Sequence, residues 1–532
     1  MEIDSAVRER LTSANQTHLL AYWSELNDEQ RRTLLRDINE VDFNRVQQAY
    51  DGIKHELFSE PNGHTKNEIS DTIDDIMEPI PDHMAGSINE ASPEQLDNYR
   101  ENGLKAISEG QVCVLLLAGG QGTRLGVDYP KGMYNVGLPS GKSLYQIQAE
   151  RIRRLEQLAN EQFNTDNATI TWFILTSEHT QEQTEKYFRS HKYFGLKREN
   201  IILFEQHTLP ALNFQGKILL EEKHRLTKAA DGNGGLYRAL RTRGVLNKMA
   251  ERHIKYVHVY GVDNILVRLA DPVFIGFCLE KNADCAAKRL TFQVVKKTVP
   301  TEAVGVICKV GGRFQVVEYS EISEETAKRT KSESSDELLY NAGNICNHFF
   351  TLDFLQDVCQ KHENELRYHV AKKKIPSVDS HGNYVSKPTE INGIKLEKFV
   401  FDVFPFSKTF AVWEVRREDE FSPLKNDSGA KDTAATCRRD LMLQHVRWLQ
   451  QAGADLPDDI EKNIDVTGKT CEISPLVSYA GEDLEFVNGR KLDLPIFFEW
   501  NTNKNNTDKS VPKNLTVVHD CTPISIQTNG VH

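Results

Sequence analysis

Six apolar residues, Val112-Cys-Val-Leu-Leu-Leu117, run without a break into Ala118-Gly-Gly-Gln-Gly-Thr-Arg-Leu-Gly126. No other stretch of the chain constrains its fold as tightly. An unbroken apolar run of this length reads as a strand buried on both faces, which belongs in a parallel sheet covered by helices. Glycines directly after such a strand let the backbone approach a ligand closely and turn N–H groups toward an anion. Arg124 and Lys131 add two cations within the next few residues, and Pro130 restrains the backbone just before Lys131. Buried strand, glycine turn and paired cations together suggest a polyphosphate site. The glycines do not fit the G-x-G-x-x-G dinucleotide fingerprint. A later segment, Gly137-Leu-Pro-Ser-Gly-Lys-Ser143, has three residues between its glycines where a P-loop needs four, and no buried strand precedes it. It reads as a turn into a helix capped by Ser143.

Further strands at Thr171–Thr176, Ile201–Glu205 and Tyr256–Tyr260 alternate with helical stretches. The alternation predicts an α/β fold with a mostly parallel central sheet and ligands at the carboxyl ends of its strands. Val304–Lys309 and Phe314–Tyr319 flank Gly311-Gly312, a hairpin signal at the edge of that sheet. Three regions follow: a helical N-terminal region with a polar connection from Ser59 to about Pro93 (1–103), the central α/β domain (104–405), and a small C-terminal α+β domain (406–532). The last contains an amphipathic helix from about Thr433 to Gln451 and a tail expected to be mobile.

A formal net charge of −12 argues against nucleic-acid binding, so an anionic substrate needs a local cluster of cations. No apolar run is long enough to span a membrane, and no secretory signal is visible at the N-terminus. Nine cysteines without a C-x-x-C pair suggest reduced thiols, a cytoplasmic location and no zinc or disulfide framework.

The string Leu117 to Gly126 followed by Pro130-Lys131 resembles the signature loop of sugar-nucleotide pyrophosphorylases, and Gly122 to Leu138 resembles the eukaryotic UDP-N-acetylhexosamine pyrophosphorylases in particular. The resemblance recurs over roughly residues 15 to 480. It implies a Rossmann-like sheet of the nucleotidyltransferase type and a reaction of UTP with N-acetylglucosamine 1-phosphate, with N-acetylgalactosamine 1-phosphate as a second substrate. It implies Mg²⁺, or Mn²⁺, as cofactor, and a monomer or homodimer. Such a reaction brings two anions together, so it needs positioning, positive charge and a divalent cation, and no side-chain nucleophile.

Arg124 and Lys131 are the expected catalytic cations, and the resemblance adds Lys425. The resemblance places Leu117, Ala118, Gly119, Gly120, Lys131, Gln206, Gly232, Asp263 and Lys395 on the nucleotide, and Asn233, Glu318, Tyr319, Asn344 and Lys425 on the sugar phosphate. An amide such as that of Gln206 donates and accepts at once, as reading a uracil edge requires. Asp263 ends an apolar strand, where a carboxylate can hold a hard cation or simply cap a turn. Asp402, in Phe399-Val-Phe-Asp402, is a weaker second metal candidate. Arg289 to Lys296 is a few residues longer than the family's usual run and reads as an extended surface hairpin. The competing readings are a UDP-glucose pyrophosphorylase and a non-catalytic nucleotide-sugar sensor. Asn341-Ala-Gly-Asn344 and Asp231-Gly-Asn-Gly-Gly235 speak against the first, and retention of every cation speaks against the second.

Overall fold

The computed structural model describes residues 3–58, 73–293, 305–318, 321–332, 337–379, 381–466, 468–500 and 515–518. Eleven strands among these residues form the central sheet: β1 (Met77–Glu78), β2 (Ala85–Ser87), β3 (Val112–Leu117), β4 (Thr171–Thr176), β5 (Ile201–Glu205), β6 (Tyr256–Gly261), β7 (Cys285–Gln293), β8 (Val306–Val310), β9 (Arg313–Val317), β10 (Glu337–Thr351) and β11 (Phe410–Val415). Their main path is β2-β11-β7-β10-β6-β3-β4-β5. Only β10 runs against its neighbours on this path, pairing antiparallel with β6 and β7. The sheet is therefore mostly parallel. The expected hairpin is β8–β9, turned through Gly311 and Gly312 at φ 57° and 78°, a geometry that favours glycine at both positions. It joins the sheet through Val306 opposite Gly343.

The apolar run of β3 is buried on both faces, as its composition requires. Val114 and Leu116, with Trp172 and Ile174 of β4, pack on Tyr99, Leu104, Tyr145, Ile152, Phe274 and Phe277 from helices Pro93–Ser108, Leu144–Phe163 and Pro272–Glu280. Cys113, Leu115, Phe173 and Leu175 face the other way, onto Leu236, Leu240, Val245, Met249 and Phe354. Ser143 caps its helix as expected, its hydroxyl accepting from Gln146 N–H.

The sheet reaches past both expected domain boundaries. The polar connection before Pro93 contributes β1 and β2, which the sequence does not announce because Ala85-Gly-Ser87 has no apolar periodicity. Small residues suit this place: a Cβ at Gly86 would lie 2.8 Å from the Trp413 ring. Helix Pro93–Ser108 belongs to the main core and crosses residue 104, and β11 is a central strand rather than part of the C-terminal domain.

The N-terminal helices Asp28–Glu40 and Phe43–Phe58 bury Leu34, Ile38, Val46 and Ile53 against Leu209, Ile218, Leu226, Ile394 and Leu396. Helix Ala434–Gln451 starts at the Thr433 cap and buries Leu441, Val446 and Leu449 against Val136, Leu138, Ile147 and Leu424. Part of the expected mobile tail, Leu515–Val518, pairs antiparallel with Ile496–Trp500, and the rest lies outside the described residues. No helix among the described residues is long and apolar enough to cross a membrane.

Candidate active site

Strands β3, β4, β5 and β6 end side by side, so Ala118-Gly-Gly120, Ser177, Gln206 and Val262-Asp263 meet along one edge. Ala118 N–H donates to the Leu175 carbonyl (2.8 Å), and Ser177 Oγ donates to the Gly119 carbonyl (2.9 Å), which pins the glycine turn against β4. The loop then closes on itself through the bridge between Gln121 and Pro130, with Gly122 N–H on the Tyr129 carbonyl (3.1 Å). Gly126, at φ 73°, ends the short helical turn Thr123–Leu125 that carries the exposed Arg124.

Lys131 links this loop to a segment far along the chain. Its Nζ donates to the Leu424 carbonyl (3.0 Å), beside Lys425. Leu424 N–H in turn donates to the Asp263 carbonyl (2.9 Å). Asn264 locks the same junction, donating through Nδ2 to the Glu420 carbonyl (2.6 Å) and accepting at Oδ1 from Ser422 N–H (2.9 Å). Three loops that carry Lys131, Asp263 and Lys425 are thus joined by direct hydrogen bonds. The near-P-loop lysine is spent elsewhere: Lys142 Nζ is buried between Glu150 (2.7 Å), Ser474 (3.0 Å) and Glu499 (2.8 Å), where it fastens the C-terminal region.

Gln206 is buried and lies directly against the glycine turn. A Cβ at Gly119 would sit 2.7 Å from Gln206 Nε2, so the amide fits only beside a glycine. The second glycine turn, at 231–235, is held by the strand end at Lys398. Lys398 N–H donates to the Asp231 carbonyl (2.8 Å), and Gly234 N–H donates to the Lys398 carbonyl (2.8 Å). Gly232 has φ 83°, and a side chain there would strike the Lys398 backbone. Asn233 Oδ1 accepts from Val400 N–H (2.9 Å), which leaves its NH₂ for a ligand. On strand Gly393–Glu397, Ile394 and Leu396 face the N-terminal core, so Lys395 and Glu397 face the opposite side, where Glu397 approaches Gly232.

Glu318 and Asn344 meet at Gly305. Asn344 N–H donates to the Gly305 carbonyl (2.8 Å), and a Cβ at Gly305 would sit 3.1 Å from Glu318 Oε1. Burial, and then the neighbouring Glu321, push the Glu318 carboxyl above its ordinary range. Asn344 Oδ1 lies 3.1 Å from His348 Nε2, so it too keeps its NH₂ free for a ligand. Tyr319 and residues 294–296 of the longer segment lie outside the described residues; Arg289 of that segment is fixed by Asn341 (2.6 Å) and Glu414 (2.8 Å). Asp402 is committed to His369 (3.0 Å) and Phe399 N–H (2.7 Å).

Sequence reasoning missed a buried relay behind the second glycine turn. Arg45, on the N-terminal helix, pairs with Glu363 (2.7 Å), and Lys398 Nζ donates to the Glu363 carbonyl (2.7 Å) and lies 3.3 Å from its carboxylate. Burial pushes the Glu363 carboxyl up, but Arg45 and Lys398 together outweigh it and hold it at about 2. Asp231 is enclosed beside this relay with both carboxylate oxygens unpartnered among the described residues, and burial drives its pKa up to about 7 against the pull of Arg45 and Arg238. The only local trace of these roles is the glycine spacing of 231–235, since the pairs join residues far apart in the chain.

The family model described as UTP–glucose-1-phosphate uridylyltransferase matches residues 58–460. The chain is 50% identical over 488 residues to the UDP-N-acetylhexosamine pyrophosphorylase-like protein 1 of Xenopus tropicalis, covering 90% of this chain and 93% of that one. It is 43% identical over 498 residues to UDP-N-acetylglucosamine diphosphorylase 2 of Arabidopsis thaliana, covering 92% and 93%. Among solved structures, the uridine diphosphate N-acetylglucosamine pyrophosphorylase of Trypanosoma brucei, in complex with an inhibitor, aligns with a TM-score of 0.74 at 32% identity, covering 91% of this chain and 95% of that chain.

Proposed function

The chain belongs to the UTP–glucose-1-phosphate uridylyltransferase family, and from that premise we infer that its site joins UTP to N-acetylglucosamine 1-phosphate, releasing pyrophosphate and UDP-N-acetylglucosamine. The family description names glucose, but the relatives that match at 50% and 43% identity name N-acetylated sugars. The observation that carries the mechanism is the Lys131–Leu424 bond (3.0 Å), because it gathers Lys131, Lys425 and the Asp263 loop at the end of the glycine turn.

In the reaction an oxygen of the sugar phosphate attacks the α-phosphorus of UTP, and the bond from that phosphorus to the bridging oxygen of pyrophosphate breaks. The backbone N–H groups of the glycine turn and Lys131 hold the triphosphate, Lys425 and Lys395 draw the two phosphates together, and Arg124 covers the leaving group. Gln206 reads the uracil and Gly232 lies against the nucleotide; Asn233, Glu318 and Asn344 hold the sugar. The eight described cysteines are free, in keeping with a cytoplasmic location. The test is pyrophosphate release from UTP across a panel of sugar 1-phosphates, where N-acetylglucosamine 1-phosphate should give the highest kcat/KM.

The residues fit a Mg²⁺ ion. Unlike Asp402, Asp263 makes no ion pair among the described residues, and Gly261 keeps the space beside its Oδ1 open. No cluster of three or more His, Cys, Asp or Glu side chains gathers as a metal site among the described residues, which suits an ion bound by one carboxylate plus substrate phosphates. Asp263 would hold the ion, whose charge offsets the repulsion between the phosphates; Mn²⁺ suits the same oxygen donors. Chelation should therefore abolish turnover and added Mg²⁺ restore it. Asp263→Asn should shift the Mg²⁺ titration of activity to concentrations about tenfold higher; an unchanged titration would place the ion elsewhere.

Gln206→Glu replaces a donor–acceptor amide with an acceptor-only carboxylate of the same size. It should raise KM for UTP by about tenfold and leave KM for the sugar phosphate nearly unchanged. Equal changes in both constants would show that Gln206 does not read the base.

A further inference from the structure

A cavity of about 720 Å³ opens between the N-terminal helices and the segment Glu205–Pro210. Its lining includes Gln206, His207, Arg45, Arg238, Lys228 and Arg243, and of these the reaction uses only Gln206. Lys228 is neutralised by Asp37 (2.9 Å) and Glu40 (2.8 Å), and Arg45 by Glu363 (2.7 Å). Arg243 lies 3.8 Å from Glu205. Arg238, half-buried on helix Leu236–Thr242, has no ion-pair partner among the described residues. The acids Asp42 and Glu178 that also line the cavity are exposed, and Asp37, Glu40 and Glu205 are taken up by Lys228 and Arg243, so the Arg238 charge stands unbalanced by any ion pair among the described residues. His207 reports the same field: burial first, then Arg238, Arg243 and Arg45, push its pKa down to about 4. An unpaired guanidinium in a recess, with a second guanidinium and hydroxyl and imidazole groups nearby, has the donors and charge that a phosphate needs.

We propose that this cavity is a second ligand site, separate from the reacting phosphates, that takes a phosphate-bearing metabolite on Arg238 and Arg45. The space exceeds a bare phosphate and leaves room for a sugar along Thr208–Pro210. Occupancy reaches the nucleotide by two routes. Gln206 is a shared wall that also touches Gly119. Arg45, drawn toward the ligand, loosens its hold on Glu363 and hence on Lys398 and the 231–235 turn. Both routes weaken UTP binding, so the ligand raises KM for UTP and leaves kcat unchanged. This consequence rests on the assignment of Gln206 and Gly232 to the uridine; the binding site itself does not.

The experiment is calorimetric titration of the full chain with inorganic phosphate and, separately, with glucose 6-phosphate, repeated on Arg238→Gln and Lys131→Ala, with KM for UTP measured at each probe concentration. The wild type should bind at least one probe, and Arg238→Gln should weaken that binding by about tenfold or more while keeping its probe-free kcat and KM. Lys131→Ala should bind the probe as the wild type does, since its lysine belongs to the other site. Tighter binding of glucose 6-phosphate identifies a phosphorylated sugar as the ligand; equal binding identifies free phosphate. The bound probe should raise KM for UTP about threefold in the wild type and not in Arg238→Gln. No binding in the wild type, unchanged binding in Arg238→Gln, or binding lost in Lys131→Ala would each overturn the proposal. If Gln206→Glu leaves UTP binding intact, the uracil assignment fails while the titration still decides the second site.

Discussion

Lys131→Ala is expected to lower kcat by about a hundredfold to a thousandfold, the loss typical of one preorganised group aimed at developing charge. The side chain is half-buried at the end of the glycine turn, and its Nζ is held by the Leu424 carbonyl (3.0 Å), so the charge is already in place before substrate arrives. Removing it also deletes one hydrogen bond to a backbone carbonyl, an effect of about 1 kcal/mol on stability. The two consequences separate cleanly. Thermal unfolding should move by only a few degrees while turnover collapses, and Lys131→Met, which keeps the stem and drops the charge, should behave as the alanine variant does. Near-normal turnover of either purified variant at saturating UTP and sugar phosphate would remove Lys131 from the chemistry.

The next largest effect concerns the sugar. Glu318, half-buried with its carboxyl pushed upward, sits beside Gly305 and Asn344, and both Asn344 and Asn233 present an NH₂ whose own carbonyl oxygen is already engaged. Groups arranged this way pair with hydroxyls and an acetamido carbonyl. Glucose 1-phosphate lacks the acetamido group and leaves part of the set unpaired. Each buried unpaired group costs about 1–3 kcal/mol, or roughly tenfold to hundredfold in kcat/KM. N-acetylgalactosamine 1-phosphate differs in the direction of one hydroxyl, so it should be a poorer but real substrate. The order should be N-acetylglucosamine, N-acetylgalactosamine, glucose. Glucose 1-phosphate in first place would overturn the assignment of this pocket and favour a UDP-glucose pyrophosphorylase.

What could be read from the sequence was local. The apolar run of β3, the Gly311-Gly312 turn, the Ser143 cap and the helix from about Thr433 to Gln451 act within a few residues of themselves, and each stands where the sequence places it. The placement of Gln206 and Asp263 on one edge was legible because each follows an apolar strand whose end the parallel sheet brings there. The misreadings have the opposite character. Ala85–Ser87 is a strand because it pairs with Val412 to Glu414, where Phe277 and Trp413 leave no room for a side chain at Gly86. β11 looks like the start of a new domain until Phe410 to Val415 pair with Cys285 to Leu290. The Arg45–Glu363–Lys398 relay joins residues 318 and 35 positions apart, and Lys142 finds Glu499 357 positions away. Side chains that meet across such separations leave no pattern in any window of sequence.

The bond from Lys131 to the Leu424 carbonyl closes a gap of 293 residues. During synthesis the glycine turn leaves the ribosome long before its partner loop exists. At 5–20 residues per second the interval is about 15–60 s. Through that time a nascent chain can carry the complete first loop with its lysine untethered and neither Lys425 nor helix Ala434–Gln451 behind it. If Lys131 and Lys425 act together as proposed, a chain cut short before residue 425 should be inert rather than partly active.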